Sequence, residues 1–438
     1  MKRWICILAA ACLLCGAAAA DTTPLRVFSI GANTPEDFAA KYPDLPVELI
    51  HVSYDSSGLS NKRELLLAGN WDVATVAVGS GKADDITLQE LYSSGLVMDL
   101  SQSTALAARA EGLFPAVKDA VTAGGMLLAL PYRLYRDVAQ YQITTWPGET
   151  QSTFARLGFT QADIPHTFRE LADLAEAYMA LPAETRKGTI FDVNCVDSSA
   201  YAYFLYYLIE LYTAEFCDAA GIVDYDTPAF RASLEDLQRL ISALDKDPKV
   251  RRAQDGSLCG IINDASQMFS GSSADRINLD LYIQNGERIP ANLRVLVVNP
   301  HTTQVDKALH YVSVLAAESA AWFDPLLYAD ADYAALARLA YETQLADLQA
   351  GDAKPAYVDT FISTYENDPE AYYAQSVYSR AQLADYQSNT APRLAFPPVP
   401  LVSAATAAET FIHNNELDAE GLIRYLNESV QAEQEETP

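Results

Sequence analysis

The sequence predicts an α/β protein whose first third forms an open, doubly wound parallel sheet. Three observations carry that expectation. Short β-rich runs alternate with helical patterns over residues 25–100, the order that builds parallel strands through right-handed crossovers. Glycines close two of these strands, at Gly31 and at Gly79-Ser80-Gly81. Of the 438 residues 50% are hydrophobic, and the length allows two or three domains with ample core.

Residues 1–20 read as an export signal: Lys2 and Arg3, the apolar run Trp4–Leu14, then Ala18 and Ala20 placed as an A-x-A cleavage site. The run is shorter than the roughly 20 apolar residues a membrane span needs. Cleavage after Ala20 would leave Asp21–Pro438. A lipid anchor at Cys12, after Ala9-Ala10-Ala11, is the alternative, although the leucine-like residue three before the cysteine is missing.

Leu25–Ile30 is the first strand. Thr34-Pro35-Glu36-Asp37 then opens a helix with a cap, a proline at the first helical position and acids at the positive end. Val47–Val52 is the second strand, Asn61–Ala68 a short helix and Asp72–Val78 the third strand. Thr87 and Glu90 form a capping-box pair. Gly124-Gly125 turns the chain into Met126–Pro131, and Val138–Ile143 is a further β-leaning run. Thr167 and Glu170 cap a helix whose apolar face is Phe168, Leu171, Leu174, Ala175 and Tyr178. Tyr201–Tyr212 is apolar and aromatic enough to be a buried helix, and Thr227-Pro228 starts another through Leu244. Arg294–Val298 is strand-like, and helices dominate residues 306–386, with Tyr333, Tyr341, Tyr357, Tyr365, Tyr372, Tyr373 and Tyr378 expected to pack them.

Composition excludes several functions. With 30 Lys+Arg against 58 Asp+Glu the formal charge is −28, which makes nucleic acid and anionic membranes poor partners. Cys195, Cys217 and Cys259 follow the leader without CxxC spacing, so zinc chemistry has no support; one Cys195–Cys217 bridge and three thiols both fit. The five histidines are scattered without ligand spacing. There is no G-x-S-x-G elbow, and Gly81-Lys82 lacks the surroundings of a phosphate loop. Carboxylates are too plentiful for their number to identify a hydrolytic pair. The 25 tyrosines and 15 phenylalanines offer faces that suit sugar rings, although most are expected in the core. Trp71 is expected to pack, and Trp146 to border a cleft or a surface loop.

A series of short segments resembles one family. Phe38-Ala39-Ala40-Lys41-Tyr42-Pro43, followed by Val47-Glu48-Leu49, resembles the opening of extracellular solute-binding proteins of ABC importers (family 1, the group that includes sugar binders). Leu67-Ala68-Gly69-Asn70-Trp71-Asp72-Val73, Gly95-Leu96-Val97-Met98-Asp99-Leu100-Ser101 and Leu128-Ala129-Leu130-Pro131-Tyr132 are similar to its next segments. So are Pro165-His166-Thr167-Phe168-Arg169-Glu170-Leu171, Val298-Asn299-Pro300-His301-Thr302 with Ala308, and Glu416–Ile423 with Leu426-Asn427. Seven pieces stand in the family's order along nearly the whole chain. Residues 180–290 match least well.

The resemblance implies a two-lobe periplasmic-binding-protein-like (type II) fold, each lobe a mainly parallel sheet flanked by helices, with extra helices in the second lobe. The boundaries it suggests are a signal peptide over 1–20, an N-terminal lobe over 21–135 and a second lobe over 136–300. Residues 301–438 would return between the lobes and end in helices. It further implies capture of a carbohydrate or other hydroxyl-rich solute, with a small-molecule solute and permease subunits as partners, no cofactor, no metal and no catalysis. In open α/β sheets ligands sit beyond the carboxyl ends of strands, which selects Gly31, Asn33, Gly79 and Ser80. Tyr132 and Arg133 fall where the chain should cross between lobes, Tyr132 to stack on a ligand and Arg133 to anchor a polar group. Asp192, Asn194 and Tyr201 are the second-lobe candidates. A secreted glycan hydrolase using an Asp/Glu pair and an envelope scaffold using helices 306–386 are the alternative readings.

Overall fold

The computed structural model describes residues 23–28, 35–53, 61–79, 86–135, 138–142, 158–160, 163, 165–182, 201–218, 221–244, 259–262, 276–279, 281–351, 353–397, 410–413 and 416–436. The alternation read from residues 25–100 folds as parallel strands β1 (Leu25–Val27), β2 (Val47–Leu49) and β3 (Val73–Gly79). Two later strands, β4 (Leu130–Tyr135) and β5 (Asn292–Val298), complete a five-stranded sheet in the order β2-β1-β3-β5-β4. β5 runs antiparallel to both neighbours, so β3 and β4 point the same way. The apolar runs of β3 and β5 are buried, as expected of strands covered on both faces.

The expected local signals are present. The Thr87 hydroxyl accepts from the Glu90 amide at 3.1 Å. Thr167 does the same for Glu170 at 3.2 Å, while the Glu170 carboxylate accepts from the His166 amide at 2.7 Å. Gly124 and Gly125 turn with φ of 58° and 83°. The indole of Trp71 is buried and donates to the Leu66 carbonyl at 2.8 Å, so it packs as expected.

Apolar side chains gather in two cores. The first joins residues of 25–134 to residues of 289–394. The second joins Phe168–Ile283 to Phe411–Val430. Among the described residues the chain passes between the cores three times: after Tyr135, between Ile283 and Ile289, and between Phe396 and Phe411. This is a two-lobe α/β architecture, and it corrects the expected boundaries. The strand predicted at Arg294–Val298 belongs to the first sheet, because Asn292–Val298 pairs with β3 along its whole length. The helices between Val305 and Asp385 pack on the first core and not the second. Tyr373, Tyr378 and Tyr386 tie the later part of this segment to its helix Ala320–Leu327, donating to the carbonyls of Ala321, Trp322 and Leu326 at 2.5, 2.6 and 2.8 Å. The Ser319 hydroxyl and Asp324 carboxylate fix that helix to Tyr132 and Arg109 of the first lobe at 3.0 and 2.8 Å. Tyr357 alone of the expected packing tyrosines is well exposed, at 59%. The C-terminal helix Ala419–Glu436 buries Leu422, Ile423 and Leu426 in the second core.

The second sheet also departs from expectation. Val138–Gln142 lies between Cys259–Ile262 and Arg276–Leu279, antiparallel to both; the described second-lobe strands are thus not a parallel sheet. The second core is built largely by helices Phe168–Ala180, Tyr201–Phe216 and Pro228–Leu244, the middle one deeply buried as its composition predicts. Cys217 is a free thiol among the described residues, which leave out Cys195, and burial pushes the Cys217 thiol up to about 11. Among the described residues no helix is long and apolar enough to cross a membrane.

Candidate functional site

The shared direction of β3 and β4, with β5 between them, sets Gly79, Asn292 and Tyr135 side by side at one edge of the first sheet. At that edge the chain leaves for the second core after Tyr135 and returns before Asn292. Two residues further in, Ala77, Arg294 and Arg133 form the next row. Residues two apart on a strand point to the same face, so Tyr135, Asn292, Arg133 and Arg294 share one side of the sheet. All four are partly exposed, in strands whose other members are mostly buried.

The side chains of this row are interlocked. The Arg133 guanidinium donates to the Tyr135 hydroxyl at 3.2 Å. It lies over the rings of Tyr132 and Phe323, 5.6 and 5.8 Å from their centroids, and Tyr135 tilts against Phe323 at 6.2 Å. Such cation–ring contacts hold a long side chain in one geometry. Gly79 takes φ of 105°, and a Cβ there would stand 2.3 Å from the Ala291 carbonyl oxygen. The glycine thus lets β3 approach the returning chain.

Tyr132 does not offer the stacking face expected of it. The register slips between Arg294 and Val295, so Tyr132 falls at a bulge, and its ring is buried in the first core. Its carbonyl accepts from the Ser319 hydroxyl at 3.0 Å. Burial raises the Tyr132 hydroxyl above its ordinary value, while Thr75 and the charges of Arg133 and Arg294 pull it back.

Of the other expected residues, Gly31, Asn33, Ser80, Asp192 and Asn194 lie outside the described residues, as do Trp146 and the leader with Cys12. Tyr201 is the first residue of its helix. The far end of that helix meets a crossing: the Glu215 carboxylate accepts from the amides of Glu287 and Arg288, both at 2.9 Å. Tyr201 therefore starts about 20 Å away from that contact along the helix axis, at about 1.5 Å per residue. A second interlobe contact comes from Arg393, which donates to the Tyr282 hydroxyl at 2.9 Å.

Tyr135, Asn292 and Arg294 escaped the reading of the sequence. The signals were there: an arginine inside the apolar run Leu293–Val298, and Arg133 and Tyr135 at strand spacing. Away from this edge, a pocket of about 280 Å³ includes Arg109, Asp324, Tyr328 and Asp330 in its lining. Arg109 holds Asp324 at 2.8 and 3.0 Å and donates to the Tyr328 hydroxyl at 2.9 Å. Among the described residues no group of three or more His, Cys, Asp or Glu could hold a metal ion.

No family model and no curated protein matches the sequence. Solved structures do match in fold. The galacto-N-biose/lacto-N-biose I-binding protein of an ABC transporter from Bifidobacterium longum, in complex with lacto-N-biose, is 15% identical, with a TM-score of 0.53 over 95% of this chain and 96% of that one. An ABC transporter solute-binding protein from Agrobacterium vitis with bound D-mannitol is 12% identical, with a TM-score of 0.53 over 94% and 98%. The cyclic α-maltosyl-1,6-maltose-binding protein from Arthrobacter globiformis is 13% identical, with a TM-score of 0.51 over the same shares, 94% and 98%. Two separate cores, three crossings and these full-length likenesses agree: the chain has the two-lobe fold of the solute-binding proteins of ABC transporters.

Proposed function

We propose that the chain captures a hydroxyl-rich solute, a carbohydrate or polyol, outside the cytoplasm and delivers it to the permease subunits of an ABC importer. The observation that carries this reading is the row Gly79, Asn292 and Tyr135, set where two separately cored lobes meet. The binding surface combines these residues and Arg133 with Gly31, Asn33 and Ser80 from the loops after the first and third strands. The second lobe contributes Asp192, Asn194 and Tyr201. Lacto-N-biose, D-mannitol and a cyclic maltosyl-maltose are the solutes named for the fold neighbours, which supports a polyhydroxylated ligand. The export signal read at residues 1–20 supports an extracytoplasmic location, with Cys12 as the site of a lipid anchor if the leader is processed there.

The mechanism is a shift of population. A solute that touches both lobes favours the closed arrangement by the difference between its affinities for the closed and open forms. No bond is made or broken: the chain is a receptor, not an enzyme. A solute at 100 times its dissociation constant stabilises the protein by about 2.7 kcal/mol. Thermal unfolding against a panel of neutral, acidic and polyol sugars should find at least one such ligand, and small-angle scattering should show the molecule contract with it. A panel without a stabilising member, or release of reducing sugar by the purified chain, would overturn the reading.

A further inference from the structure

On the crossing between Ile283 and Ile289 the lobe boundary narrows to a single peptide. Up to Arg288 the chain belongs to the second lobe. Ile283 lies in that core, the Gly286 amide donates to the Ile283 carbonyl at 2.7 Å, and the Glu215 carboxylate holds the amides of Glu287 and Arg288. From Ile289 onward it belongs to the first lobe. Ile289 is buried in the first core, Ile289-Pro290 pairs in parallel with Leu394-Ala395, and the Ala291 amide donates to the Ala395 carbonyl at 2.9 Å. A turn of one lobe against the other is therefore absorbed on this crossing at the bond from Arg288 to Ile289, because hinges are the few residues that take up a change in φ and ψ.

Tyr282 spans the same boundary. Its neighbours Leu281 and Ile283 lie in the second core, and its amide donates to the His166 carbonyl at 2.8 Å, where Thr167 and Tyr282 form a parallel bridge. Its ring, however, packs against the first core. The guanidinium of Arg393, the residue before Leu394, donates to the Tyr282 hydroxyl at 2.9 Å and lies 5.6 Å from the ring centroid. The backbone of Tyr282 thus moves with one lobe while its side chain is held by the other. Hydrogen bonds weaken steeply as distance and angle leave their optimum, so a turn about Arg288 and Ile289 works directly against this contact.

We propose that Tyr282 and Arg393 form a latch beside the hinge. It is made in the arrangement described here, it parts when the lobes turn, and its strength weights the equilibrium between the two arrangements. Its effect on solute affinity rests on the capture reading above; the latch itself rests on the two lobes.

Spin labels at Ala105→Cys and Ala177→Cys, exposed positions on helices of the first and second lobes, report the lobe separation by pulsed electron resonance. The labelled chain also carries Cys195→Ser, Cys217→Ser and Cys259→Ser. Without solute, Tyr282→Phe and Arg393→Gln should each lower the population at the separation described here, relative to the rest, by roughly 10-fold, as expected for losing a hydrogen bond from a charged donor. Adding Tyr282→Phe to Arg393→Gln should change little further, because both act through one contact. Circular dichroism melting checks that each variant folds. A solute found in the thermal panel should then show a dissociation constant that varies inversely with the binding-competent fraction. Distance distributions that coincide in wild type and both variants would overturn the latch. Weaker binding under coinciding distributions would overturn it too, and would place the pair in direct contact with the solute. If no solute in the panel binds, the capture reading falls while the distributions still decide the latch.

Discussion

At Gly79 the backbone turns to φ of 105°, and a Cβ would meet the Ala291 carbonyl oxygen at 2.3 Å. Gly79→Ala should therefore cost about 1–3 kcal/mol from local strain, with a further loss as β3 and the returning chain separate. Urea unfolding would register it as a lower midpoint at unchanged slope. Asp324 allows a test of charge. Burial pushes its carboxyl up to about 6, against the pull of Arg109. Between about pH 4 and pH 6 the folded chain then holds a proton that the unfolded chain has released, so this group's contribution to stability falls as pH rises through that window. Urea midpoints from pH 4 to 7 should show wild type losing ground to Asp324→Asn across the window and running parallel above it. Parallel profiles throughout would contradict the buried placement. Gly79 could be read from its position after a β run, because the constraint is local. Arg294 could not, since its significance comes from Arg133, which is distant in sequence and pairs with it only in the sheet.

Helices and strands were legible where their causes are short in range. At Thr87 and Thr167 the hydroxyl half of each expected capping box forms, while Glu90 pairs with Arg63 and Glu170 accepts from the His166 amide. Thr167→Ala should lower stability by about 1 kcal/mol in a denaturant titration. The crossing between Ile283 and Ile289 was not legible. It depends on Glu215, whose carboxylate gathers the amides of Glu287 and Arg288 from another element, and on Asn285 at φ of 66°. Glu215→Ala leaves both amides without that acceptor. Their hydrogen exchange should accelerate by roughly 10-fold or more, as expected from losing about 1–3 kcal/mol of local protection. The amides of Val295 and Val297, inside β5, should keep their rates. Equal acceleration everywhere would mean a global loss of stability and no local anchor.

For the whole molecule, the two-lobe plan was legible only through the order of seven short segments; hydrophobic periodicity alone gave an α/β chain. The lobe boundaries were misjudged because neither lobe is one continuous stretch of sequence. Strand signals at Asn292–Val298 and the helical run after it reveal their type locally, but which core they join is set by partners such as Val73–Gly79 and the Tyr132 carbonyl. Two cores linked by three crossings should also depart from all-or-none behaviour. Calorimetry of the ligand-free chain should give a van't Hoff enthalpy below the calorimetric one, and a bound solute should bring the two together. The position of β5 between β3 and β4 has a consequence for biosynthesis. A ribosome reading from the first codon leaves the strands β2-β1-β3 and β4 as separate pieces until residue 298 has been added. A nascent or prematurely terminated product that stops before then presents two bare strand edges, where neighbouring copies can pair and precipitate. Protection from that fate has to come from outside the polypeptide until about two thirds of it, through Val298 of 438 residues, is made.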